Sequence, residues 1–90
     1  MKNTRTKIIE ALIDYFGFIK NEDDRVFIWI PETIMTIHRD KNAIWCISVN
    51  NGTVEHSYSM LTSLFRYILT LIGDNTIEVS FNGNDKEVVI

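Results

Sequence analysis

Four segments rich in β-branched and aromatic residues follow one another almost without interruption: RVFIWI (25–30), TIMTIH (33–38), AIWCISV (43–49) and TVEHSY (53–58). Only PE, RDKN and NNG separate them. A parallel neighbour needs a crossover of about a dozen residues or more, so connections this short force consecutive strands to pair antiparallel as a meander. Strand side chains alternate between faces, and a slip of one residue would move a whole apolar set to the wrong side. The registers of the four segments therefore constrain one another.

A two-residue turn at Pro31-Glu32 pairs Ile30 with Thr33, Ile28 with Met35 and Val26 with Ile37. Proline in the first turn position suits types I and II better than the primed turns of tight hairpins, which makes this the weakest of the three connections. A three-residue loop at 40–42 predicts Arg39 opposite Ala43, Ile37 opposite Trp45 and Met35 opposite Ile47. A type I′ turn at Asn51-Gly52, with positive φ at both, predicts Val49 opposite Val54, Ile47 opposite His56 and Trp45 opposite Tyr58. All three turns turn the same apolar face inward.

Helical periodicity flanks the meander. Residues 4–16 place Ile9, Leu12, Ile13 and Phe16 on one face, with Lys7, Glu10 and Asp14 opposite and Gly17 as C-cap. A second helix is expected to start near Ser57 or Ser59, either of which suits an N-cap, and to stop at Gly73. Leu61, Leu64, Phe65, Ile68 and Ile72 face one way, and Met60, Tyr67 and Leu71 widen the apolar surface. The polar stripe is only Thr62, Ser63, Arg66 and Thr70, so burial on more than one side is expected. TIEVSF (76–81) and KEVVI (86–90) close the chain as a hairpin that pairs Ile77 with Ile90, Val79 with Val88 and Phe81 with Lys86. The expected fold is a single α+β domain over residues 1–90: two layers, a mostly antiparallel sheet (meander plus C-terminal hairpin) packed by two helices, in the order α-β-β-β-β-α-β-β.

Several function classes are disfavoured by composition. An apolar share of 46% with 23% charged residues is that of a folding chain rather than a disordered one. A net charge of −3 leaves no general attraction for nucleic acid; Lys2, Arg5 and Lys7 form the one basic N-terminal arm available to such a binder. The apolar run 60–72 is shorter than the ~20 residues of a membrane span and contains Arg66. Glu10 and Asp14 interrupt the stretch after the N-terminal basic residues, unlike a secretory leader, and a lone Cys46 makes no internal disulfide, so the expected compartment is cytoplasmic.

Catalytic and metal-binding readings are weak. IHRDKN (37–42) resembles the catalytic loop of protein kinases in residue order, but the glycine-rich loop and paired lysine that such enzymes need have no counterpart here. Asp40 and Asn42 are instead turn residues at a hairpin tip. His38 and Cys46 alternate to the outer face and His56 to the inner one, so these three do not converge as metal ligands. Cys46 has no cationic sequence neighbour to activate it. No catalytic residue, metal or cofactor is expected, and the chain reads as a non-enzyme.

The outer face is more informative. It gathers Phe27, Trp29, Ile34, His38 and Ile44, with Thr36, Cys46 and Ser48, and returns to polar residues at Thr53, Glu55 and Ser57. Soluble monomers rarely leave so large an apolar patch open, so it is expected either to be covered by a helix or the terminal hairpin, or to bind another protein or a second copy. Glu22, Asp23 and Asp24 are a candidate acidic contact beside their role in a solvated turn. The function expected is a small protein-binding module, an inhibitor of the phage or mobile-element (anti-defence) type that occludes a partner protein. The alternatives are an immunity-type or chaperone-like dimeric adaptor and a weak nucleic-acid binder using the basic arm.

Overall fold

The computed structural model describes residues 4–50, 52 and 54–89. Lys2 of the basic arm, Asn51 and Thr53 of the third turn, and Ile90 of the last pairing lie outside the described residues. Two helices, α1 (Thr4–Gly17) and α2 (Leu61–Ile72), accompany six strands: β1 (Val26–Ile30), β2 (Thr33–Arg39), β3 (Trp45–Val49), β4 (Val54–Tyr58), β5 (Ile77–Phe81) and β6 (Glu87–Val89). The fold is α+β, in the order read from the sequence. The strands form one antiparallel sheet, β4-β3-β2-β1-β5-β6. The connection through α2 thus carries the chain from one edge of the meander to the other, where β5 pairs with β1.

The β1–β2 register is the expected one, Val26 to Ile37 through Ile30 to Thr33, and the turn keeps two residues because Glu32 takes a left-handed φ of 64°. The β2–β3 pairing is displaced by two residues, to Ile37 opposite Ile47 and Arg39 opposite Trp45. The longer loop follows from Asp40, whose carboxylate accepts from the amides of Asn42 (2.8 Å) and Ile44 (3.1 Å) while its own N–H donates to the Ile44 carbonyl. A shift of two leaves every side chain on its expected face.

His56 opposite Ile47 and Tyr58 opposite Trp45 stand as expected, but Val54 meets Ser48 rather than Val49 because the ladder bulges between Ile47 and Ser48. Gly52 does not adopt the positive φ of a type I′ turn. Among the described residues of the turn, Asn50 takes the left-handed conformation (φ 53°), and Gly52 donates to the Val49 carbonyl. In the terminal hairpin the register is off by one: Ile77 pairs with Val89 and Glu78 with Val88, so Val89 turns inward and Val88 is 57% exposed.

Two asparagines extend the ladders with their side chains. Asn50 donates its N–H to the Ile34 carbonyl and accepts from the Ile34 amide through Oδ1; Asn82, also at φ 53°, does the same with Arg25. Asparagine tolerates this conformation and carries an amide that mimics the backbone, which is why it serves at both places.

The core lies between the helices and one face of the sheet. Ile8, Leu12, Phe16 and Ile19 meet Leu64, Ile68, Leu69 and Ile72 over the inward strand residues Val26, Ile28, Met35, Ile37, Ile47, Ile77 and Val79. Helix α1 is thus rotated from the predicted stripe: Ile8 is buried and Ile13 is 49% exposed. Neither Ser57 nor Ser59 caps α2, since β4 continues to Tyr58 and Met60 takes the N-cap position without a side-chain bond. Gly73, at φ 58°, stops the helix as expected.

Thr36 and Ser80, on the strands either side of Phe27, hold hydroxyl oxygens that are buried without a hydrogen-bond partner. A buried unmade hydrogen bond is costly, whereas a methyl group there is not. Ser80→Ala is therefore expected to leave stability unchanged or raise it by about 0.5–1 kcal/mol, read from the urea unfolding midpoint. A loss of similar size would mean that Ser80 is hydrogen-bonded in solution.

Candidate functional site

Strand alternation sends Phe27, Trp29, Ile34 and His38 to the face opposite the helices, and Ile44, which precedes β3 in the hairpin loop, joins them by alternation with Trp45. All five are half-buried, and none belongs to the core cluster. Phe27 and Trp29 shield each other instead: their rings stack with centroids 5.8 Å apart. The terminal hairpin does not cover this face but extends it sideways, with β5 against β1 and the exposed Val88 opposite Glu78. Among the described residues, the core's helical members all belong with the inner face.

Trp29 lies near the Pro31 end of this surface, between Ile34 on β2 and Glu78 on β5. The Lys86 ammonium lies 4.4 Å from its ring centroid and pairs with Glu78 at 3.4 Å. Depressions of about 510 and 290 Å³ flank it, one reaching Pro31 and Val88, the other Ile34 and Asn50. Lys86, Glu78 and Val88 were not among the predicted site residues. The Trp29–Glu78 neighbourhood depends on β5 docking against β1 across a long sequence separation, and no local pattern announces that.

Cys46 is buried on the same face, directly opposite His38, with its thiol near the Ile44 carbonyl at 3.6 Å. His56 has the inward register but stands exposed at the edge strand, its ring 4.4 Å from that of Tyr67. Among the described residues, no three His, Cys, Asp or Glu side chains gather as metal ligands. Ser57 is exposed, and the side chains of Thr53 and Glu55 lie outside what the structure describes.

Desolvation, and next the nearby Arg25 charge, push the His38 imidazole below its ordinary value, with Asp40 acting in the opposite sense. The neutral form is favoured in the folded chain, so the unfolded chain binds more protons once the pH drops below about 6.5. Stability contributed by neutral His38 is complete above that pH and is lost downward toward the lowered folded value. Urea midpoints at about pH 7.5 and pH 5.5 are expected to fall further in the wild type than in His38→Gln. Equal falls would remove His38 as the cause.

The acidic run divides into two roles. Asp24 is structural: its carboxylate accepts from the amides of Lys20 (2.8 Å) and Asn21 (3.2 Å) and from the Asn82 side chain (3.1 Å), and these bonds hold it below the ordinary aspartate range. Glu22 and Asp23 are exposed, although the Glu22 carbonyl accepts from the Arg25 guanidinium. Of the proposed basic arm, Arg5 and Lys7 belong to the first turns of α1, where positive charge opposes the helix dipole. No described helix is long and apolar enough to cross a membrane.

Comparison with protein-family models, curated proteins and solved structures returns no match.

Proposed function

We propose that the chain is a non-catalytic protein-binding module whose outer sheet face is its interface, and that a second copy of the chain is the occupant. The observation that carries this reading is the set Phe27, Trp29, Ile34 and Ile44, half-buried apolar side chains that lie outside the core formed by the described residues. Aromatic residues grouped beside depressions are what interface centres are made of. Identity of the two partners is favoured by charge: Lys86 and Glu78 sit together beside Trp29, so two copies brought face to face bring both signs to one rim. Twisted sheet faces also pack well on one another, about 10 Å apart and at about 30°. Such a module acts by occupying a surface, as an inhibitor or adaptor does, rather than by chemistry.

Sedimentation equilibrium is the test. The average mass is expected to climb from 10.5 kDa toward twice that value between micromolar and submillimolar concentration. A wild type that stays monomeric throughout would overturn the dimer. Binding of a different protein that depends on Trp29 would then reassign the face to that partner.

A further inference from the structure

The hairpin loop and the segment after α1 enclose a second feature, which does not rest on the outer face. Lys20, Arg39 and Lys41 line a cleft of about 320 Å³ together with Glu22 and Asp40. The Asp40 carboxylate is already bonded to the amides of its own loop. Among the described residues, no carboxylate forms an ion pair with any of the three cations. Arg39 is held in place by other means: its guanidinium lies 4.6 Å from the Trp45 ring centroid, and Nη2 donates to the Ala43 carbonyl at 3.2 Å. A fixed, unpaired guanidinium is preorganised for an incoming carboxylate.

A neighbouring cleft of about 280 Å³ shares Ile19, Lys20 and Arg39 with the first and adds the apolar residues Ile13, Phe16, Trp45 and Leu61, of which Phe16 and Trp45 are nearly buried and Leu61 half-buried. Ile13, 49% exposed on a helix whose other large apolar side chains point inward, stands at its edge. We infer that the joined clefts bind an acidic peptide in which an apolar side chain adjoins a glutamate or aspartate. The apolar group occupies the Ile13–Trp45 end and the carboxylate meets Arg39, Lys20 and Lys41. Three cations outnumber the two carboxylates of the lining, Glu22 and Asp40, and the exposed Ile13 beside them favours that pairing over a bare anion, because the anion leaves the apolar side chain uncovered.

The test titrates acetyl-Leu-Glu-amide into the nitrogen-15-labelled full chain and follows amide and indole resonances. Saturable shifts are expected at Lys20, Asn21, the loop 40–43 and the Trp45 indole. Acetyl-Leu-Gln-amide is expected to bind at least about fivefold more weakly, since a charge-assisted hydrogen bond is roughly twice as strong as a neutral one. Arg39→Gln is expected to lose the site. Should that variant fold poorly, Lys20→Ala/Lys41→Ala, which alters exposed side chains, is expected to weaken binding by a similar factor. Absence of saturable shifts, or shifts unchanged in the double variant, would overturn the site. So would inorganic phosphate producing the same response, Trp45 included, since the apolar residues of the second cleft would then contribute nothing.

Discussion

Phe16→Ala is expected to lower the unfolding free energy by about 3–5 kcal/mol, the range for truncating a buried aromatic in a packed core. Phe16 is where three elements meet: its ring lies 5.5 Å from Trp45 of β3 and 5.4 Å from Phe65 of α2, the latter stacked at 28°. It is 3% exposed, so removal forfeits nearly its whole burial and leaves a space bounded by two rigid rings that cannot collapse into it. Total stability of a domain this size is about 5–15 kcal/mol, so the variant is expected to unfold at much lower urea while remaining cooperative. A loss below about 1 kcal/mol would mean that α1 does not pack as described.

The inner face was legible because three turns, each judged separately, had to agree on one alternation. That redundancy tolerated error: the β2–β3 register was wrong by two residues, yet Ile37, Met35 and Trp45 still point inward. No such check protects the terminal hairpin. Val88 and Val89 put an apolar residue on each alternation and only Glu87 distinguishes the two, too little to hold the register, and Val88 and Val89 exchanged faces. Helix α1 failed for a related reason. Ile8-Ile9 and Leu12-Ile13 are adjacent apolar pairs, and only the sheet decides which member of each points inward. Of the outer-face residues, Phe27, Trp29, Ile34 and His38 followed from alternation alone and lie on that face. Their neighbours Lys86 and Glu78 required knowing that β5 docks on β1, and the clefts around Arg39 required the loop geometry that Asp40 imposes. Side-chain mimicry by Asn50 and Asn82 was hidden because each sits where a glycine-containing turn already explained the local sequence.

Trp29→Ala is expected to weaken association by about 2 kcal/mol or more, roughly a thirtyfold rise in the dissociation constant, as truncation of an interface aromatic does. The folding cost is expected to be smaller. Trp29 is half-buried, lies outside the core cluster, and rests on Phe27 and Lys86 rather than under a helix. Trp45 provides the internal contrast: the same side chain at 7% exposure, wedged against Phe16 and under the Arg39 guanidinium, belongs to the core and is expected to behave like Phe16 when truncated. Two measurements on one variant therefore separate the roles. Sedimentation of Trp29→Ala is expected to show monomer at concentrations where the wild type is dimeric, and its urea curve, taken where the wild type is also monomeric, is expected to move by about 1 kcal/mol. The converse result, an unaltered monomer–dimer equilibrium with a folding loss of about 3–5 kcal/mol, is the signature of a tryptophan packed within its own chain. It would move Trp29 from the interface to the core and withdraw the outer face as a binding surface.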